Sequence, residues 1–540
     1  MQTSIPTLET VSWRRCLMAA AVAFALLSMP AVSQTALAQS DPLNFGNNYF
    51  VTGDYVVAGV GLRGLGGSTG YATGTINMPD LYSEPATGVP AGAQVIAAFL
   101  YWQTVESSQT TFAGQQGFFR PVYTGGPSTG YAITGTVLGN PNAPVAWSSG
   151  GCSGNSQGSK TIRTYRADVR PFLRVDSEGN VLAGNSSLPA QYEVRLADSG
   201  SNGGGAPLTL GATLVFIYRV LDLNVPLNSI VIYDGSFAPS NSSSDMTQTI
   251  EGFYQAAASP IAKLTHIVGN GQANKYENVY LDGVYLPSLY GVSSPPFPGN
   301  YNGSWDNPTW IVNNYGSAVQ PGDSDATTMV APSASNSGCV SWGAVILSTT
   351  VKDSDNDGLL DVWEQNHGYC DASLDTACAH NDSDPAWVSL PGADPDKKDI
   401  FVQMDYMCRD PNATTCDPTD VASFLPSQTA LNKVESAFGG NHGIDLHLIT
   451  GNAIQQTECT DDPTASPPVV CPVPSQPGVV GWKGGFVFLK NQPLNYPDEN
   501  SCEQALDGPC MRRFQHGRKD SYHYALFGYA LGAPSWSMGV

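Results

Sequence analysis

The chain has 540 residues, 41% hydrophobic and 10% aromatic, enough for a sizeable core and more than one domain. Only 13% are charged, yet 46 acids against 24 bases leave a formal charge of −22, which argues against partners that present phosphate, whether nucleic acid or anionic lipid headgroups. The 57 Gly and 39 Pro argue against a mainly helical bundle.

Residues 1–38 read as an export signal. Arg14 and Arg15 precede an apolar run from Cys16 to Val32, and Ala36-Leu37-Ala38 supplies the small-x-small pattern of a signal-peptidase site. The run contains Pro30 and no stop-transfer pattern follows, so cleavage near Ala38–Gln39 is expected rather than a membrane anchor. The mature chain is then secreted or held at the cell surface, with no membrane span of its own. Trp13 and Leu17–Met18 match a twin-arginine signal only loosely, and Cys16 lies before the apolar run, where it does not read as a lipidation site.

An exported chain can carry disulfides, and removing Cys16 leaves ten cysteines. Cys370–Cys378, Cys408–Cys416 and Cys502–Cys510 each enclose seven residues, and Cys459–Cys471 encloses eleven. Cys152 and Cys339 remain to tie distant parts of the first domain together. Nearest-neighbour pairing is one of many connectivities. Structural zinc would want C-x2–4-C pairs, and the sequence has none.

Residues 39–350 read as β-structure. Ala93–Trp102, Ala212–Val220, Ser229–Tyr233 and Gly343–Val351 are short, rich in β-branched and aromatic residues, and bounded by Gly, Ser, Asn or Pro. Thr161–Val175 and Glu277–Leu286 look similar, and no 3.6-residue apolar period of helix length appears. Many short strands separated by turn signals predict an all-β antiparallel sandwich of jelly-roll type. The wording VPAGAQVIAAFLYW and NSIVIYDGSF resembles β-sandwich modules of bacterial secreted and surface proteins. That resemblance implies no particular activity, and the ligand of such a module, protein or cell surface, stays open.

Two nucleotide- and hydrolase-like patterns in this region read as loops. Gly59–Gly64 matches GxGxxG, but LGGSTGYATG follows where a dinucleotide site needs a helix. GxSxG at Gly66–Gly70, Gly126–Gly130 and Gly154–Gly158 lies in Gly/Ser-rich stretches without the strand–turn–helix of a nucleophile elbow.

Residues 353–364, DSDNDGLLDVWE, carry the sharpest motif. Asp353, Asp355, Asp357, Asp361 and Glu364 fall at loop positions 1, 3, 5, 9 and 12, with Gly358 at the sharp turn and Leu359 offering its backbone carbonyl. This is the oxygen shell that Ca²⁺ takes, with Glu364 as the bidentate ligand; without a cation the five carboxylates repel one another. A solvated acidic linker would leave Gly358 and the spacing without a reason. The motif resembles the DxDxDGxxDxxE loops of EF-hand-like and thrombospondin-type-3-like segments in bacterial surface proteins. It occurs here once, which suits a stiffened domain junction (residues 351–368), with a short helix over Leu359–His367 ended by Gly368.

From residue 369 onward the pattern is mixed. Asp399–Met407 alternates as a strand. Gln428–Phe438 reads as a helix with Ser427 as N-cap, Leu431, Val434 and Phe438 on one face, and Gly439–Gly440 as the stop. Gly443–Thr450 alternates again, so a βαβ unit and a parallel sheet are expected. The series PDKKDIFVQMDYM, helix, HGIDLHLIT and RKDSYHYALFGYAL resembles a family of bacterial secreted zincin-like metallopeptidases over roughly residues 391–535. The resemblance implies an α/β zincin-like domain and, further downstream, an HExxH helix that holds Zn²⁺ and supplies a general base. None of His266, His367, His380, His442, His447, His516 and His523 lies in HExxH, and no two are four residues apart. No catalytic residue is therefore carried over, zinc enters only if a further segment supplies its site, and the domain reads as incomplete. His447, between Leu446 and Leu448, reads as a packed strand position, and Arg512, Arg513, Arg518 and Lys519 as a patch offsetting the acidic surface.

The expectation is an exported calcium-binding protein related to zincin-like metallopeptidases and without their catalytic motif. The rival is a calcium-stiffened, non-catalytic surface or adhesion protein.

Overall fold

The computed structural model describes most of residues 43–407, together with 423–454, 512–528 and a few isolated positions. The signal-like segment 1–38 and Cys152, Cys339, Cys408, Cys416, Cys459, Cys471, Cys502 and Cys510 lie outside the described residues. The protein is β-rich, as expected.

The β-region is more than one sandwich. Its strands form four sheets, stacked so that two are inner and two outer. The first inner sheet holds Gly53–Gly61, Leu208–Arg219, Gln94–Glu106 and Thr161–Asp168 in that spatial order. Its outer partner holds Tyr71–Asn77, Gln191–Ala197, Gln116–Val122 and Tyr131–Thr134. The second inner sheet runs Asn44–Val51, Asn228–Phe237, Ser341–Thr350 and Ala262–Gly269. It faces Met246–Glu251, Asp325–Pro332, Glu277–Leu281 and Val284–Leu286.

Three apolar layers fill the three gaps. Side chains alternate across a strand, so a strand between two cores must be apolar at both parities. In Leu208–Arg219, Leu214 and Phe216 enter the first core while Val215 and Ile217 enter the middle one. In Asn228–Phe237, Ile230 and Ile232 enter the middle core while Val231 and Tyr233 enter the third. The unbroken apolar runs in the sequence are these doubly buried strands.

The middle layer also carries polar locks, because buried polar groups need partners. Tyr101 Oη donates to Asp234 at 2.9 Å, and Arg166 closes on the same carboxylate. Ser341 Oγ donates to Gln103 at 2.9 Å, and Trp305 Nε1 to Thr213 Oγ1 at 2.9 Å.

Some local expectations need correcting. Glu277–Leu286 is a hairpin, turning at Asp282-Gly283 with φ +44° and +77°, the Asp-Gly signature of a type I′ turn. Thr161–Val175 is strand only to Asp168 and then a 3₁₀ turn, Arg170–Phe172. GxGxxG, as expected, ends an inner strand and enters a turn rather than a helix.

In the last region Lys398–Met407 lies between Ile444–Ile454 and Tyr522–Phe527, parallel to both, so the expected βαβ geometry is present. The helix spans Gln428–His442 and ends on Gly443 at φ +62°, four residues later than expected. Ser427 holds the N-cap position without a capping side-chain bond, and Val434 is exposed while Leu431 is buried. No helix among the described residues is long and apolar enough to cross a membrane.

Candidate metal centre

The acidic loop is folded on its own carboxylates. Asp353 Oδ1 accepts the amides of Asn356 at 2.8 Å and Asp357 at 3.3 Å, and its Oδ2 accepts that of Gly358 at 3.0 Å. Asp357 Oδ1 accepts the Leu359 amide at 2.7 Å. Gly358 has φ +99° with open space beside it, so the backbone conformation, not crowding, calls for glycine. Oxygens of Asp353, Asp355 and Asp357 lie within 4.8 Å of one another.

The loop runs into a five-residue helix, Asp361–Gln365, shorter than the expected Leu359–His367. The helix aims two neighbours in different directions. Trp363 enters an aromatic cage, 4.7 Å from Phe50, 5.2 Å from Tyr254 and 4.0 Å from Tyr369 between ring centroids. Glu364 is fully buried, and neither of its carboxyl oxygens has a hydrogen-bond partner. Burial, then the carboxylates of Asp357, Asp355, Asp399 and Asp353, push its pKa up to about 9. Burial and the neighbouring acids likewise push Asp355 and Asp357 up to about 6. A divalent cation relieves both causes, by coordinating the oxygens and by cancelling the repulsion.

Asp361 and Asp399 are where the geometry departs from the sequence motif. Asp361 turns to Ser354, whose N and Oγ donate at 2.7 and 2.8 Å, and to Lys352 Nζ at 2.7 Å. Burial works against its charge, but these donors prevail and hold its carboxyl below the usual range. Asp399, 35 residues beyond the motif, has its oxygens within 4.8 Å of those of Asp357 and Glu364. Its amide also donates to Asp357 Oδ2 at 2.6 Å. Lys398 Nζ donates to the loop carbonyls of Asp355 and, at 2.7 Å, Asn356. The start of the 398–407 strand is thus fastened to the loop by backbone and side chain.

The surrounding histidines are packing groups. His447 stacks on Phe401 at 4.2 Å and shares a 2.5 Å hydrogen bond with Asp399. His516 meets Asp371 at 3.2 Å, and His380 stacks on Trp387. Cys370 and Cys378 form the expected disulfide beside this region. The basic patch is split: Arg518 donates to Gln403 at 2.6 Å and lies over Tyr522, whereas Lys519 pairs with Asp520. Arg512, Arg513 and Arg518 line a cavity of about 520 Å³ with Gln403, Trp387 and Tyr522.

Compared with known proteins, the chain matches no protein-family model and no curated protein.

Proposed function

We propose that residues 353–364 bind one Ca²⁺ and that the ion stiffens the junction between the β-region and the α/β region of an exported protein. The observation that carries this reading is Glu364. A fully buried carboxyl with both oxygens unpartnered, beside other acids, is costly unless a cation or proton compensates it. The loop's internal bonds and Gly358 support the same reading. Calcium suits the site better than magnesium, because a bidentate Glu among several carboxylates offers more and longer contacts than an octahedral ion accepts.

The sequence resemblance over residues 391–535 suggests a relation of the last region to the zincin-like metallopeptidases, and the parallel sheet with its helix is compatible with it. The alternative reading is a calcium-stiffened, non-catalytic surface or adhesion protein, which the same acidic loop would serve equally well.

Calorimetry on the purified protein tests the first reading: one Ca²⁺ bound, and none after Asp353→Ala with Glu364→Ala. Proteolysis near residues 350–370 should speed up in EGTA. No binding at millimolar Ca²⁺ would reduce the loop to an acidic linker. Chelator-sensitive casein cleavage with stoichiometric zinc would refute the non-catalytic reading.

A further inference from the structure

We infer that Asp399, supplied by the first strand of the α/β region, is a ligand of the same cation, and that Asp361 is not. The ion is then a staple with ligands on both sides of the junction. This rests on the calcium reading above and goes beyond it, since the sequence motif assigns every side-chain ligand to the loop.

The argument is geometric. The buried, unpartnered Glu364 faces Asp357 and Asp399 rather than Asp361, and the oxygens of those three converge within 4.8 Å. Asp399 is itself buried and held in place. Its Oδ2 accepts the Asp394 amide at 2.9 Å and its Oδ1 meets His447 Nε2, which leaves one lone pair on each oxygen for a cation. Its backbone amide bonds Asp357, so the strand cannot slide relative to the loop without breaking that contact. Asp361, by contrast, has its Oδ2 taken by both Ser354 Oγ and Lys352 Nζ and its Oδ1 held by the Ser354 amide, and the ammonium stands beside it where a bound cation would be repelled. The cluster joins residues 42 positions apart, Asp357 to Asp399, so binding orders both segments together.

Terbium luminescence sensitised by Trp363, with Ca²⁺ competition, measures the site in the full chain. Asp399→Asn should weaken Ca²⁺ by about tenfold or more, the scale of losing a supporting carboxylate, and Asp361→Asn by less than about threefold. Asp399→Asn binding as tightly as wild type, or Asp361→Asn showing the larger loss, would overturn the inference while leaving the calcium reading intact. Wild-type protein that binds no Ca²⁺ would remove both. If Asp399→Asn fails to fold, the calcium-loaded wild-type crystal structure decides. An Asp399 oxygen about 2.3–2.6 Å from the ion supports the inference, and an Asp361 oxygen there refutes it.

Discussion

Trp363 and Tyr369 stack with their ring centroids 4.0 Å apart and their planes 18° from parallel, and the Tyr369 hydroxyl reaches on to the Gly517 carbonyl at 2.6 Å. One aromatic pair thereby links the junction helix to the segment that leads into the last parallel strand. Aromatic pairs contribute about 0.5–1.5 kcal/mol beyond the area they bury.

Trp363→Ala should therefore cost about 3–5 kcal/mol, the usual range for emptying a buried tryptophan site. Urea denaturation followed by far-UV circular dichroism measures it. A loss below about 1 kcal/mol would show that the cage closes on itself without the indole.

The Asp234 carboxylate is almost fully buried between the two inner sheets, accepting from Tyr101 and paired with Arg166. Asp234→Ala leaves a guanidinium and a phenol without their acceptor. Removing one partner of a buried pair costs about 3–5 kcal/mol, and Arg166, about a quarter exposed, reaches enough water to place the loss at the low end. Asp234→Asn keeps an acceptor and should cost clearly less. Equal losses would mean that the charge, not the retained hydrogen-bond acceptor, holds the sheets.

His266 is enclosed by Phe297, Trp310 and Trp342, with Nε2 3.0 Å from Thr328 Oγ1. Burial pushes its pKa down to about 3. In the unfolded chain it titrates near 6.5, so between pH 6.5 and 3 the unfolded state binds a proton the native state refuses. Its contribution to stability is complete above pH 6.5 and is lost as pH falls towards 3. The imidazole resonances of the folded protein should stay those of the neutral ring at pH 5, and His266→Gln should flatten the acid limb of the stability curve. A histidine resonance assigned to position 266 titrating near 6 would contradict this.

Cys370 and Cys378 close a short loop, for which the chain-entropy model gives about 2–3 kcal/mol. Cys370→Ser with Cys378→Ser should lose about that much in thermal denaturation. Peptide mapping without reductant should recover these two cysteines linked, and a peptide joining Cys370 to any other cysteine would refute the pairing.

Much of this architecture was legible in particular residues. Gly358 and the aspartate spacing announced the loop, and the alternation in Lys398–Met407 and Ile444–Ile454, with a helix between, announced the parallel pair. The number of layers was written in the sequence too, in the two-parity apolar runs such as ATLVFIYR, but a short apolar run reads the same in any fully buried strand. Asp282-Gly283 carried a turn signal inside what looked like one strand. Asp399 could not be found that way. It lies outside the twelve-residue motif, and only the docking of its strand brings it to Glu364. Asp361 sits in register with the motif, yet Lys352 and Ser354, unremarkable in sequence, claim its oxygens.

The third apolar layer of the β-region does not stop at residue 350. Val231, Trp342 and Leu347 belong to the same continuous cluster as Leu359, Trp363, Tyr369, Phe401 and Tyr522. A boundary drawn where the composition changes would cut through the middle of a hydrophobic core. Severing the chain there would bare Phe50 and Tyr254 on one fragment and Trp363 and Tyr369 on the other. The β-region's third layer and the parallel sheet should accordingly melt as a single cooperative unit, and fragments divided near residue 350 should recover solubility only when refolded together.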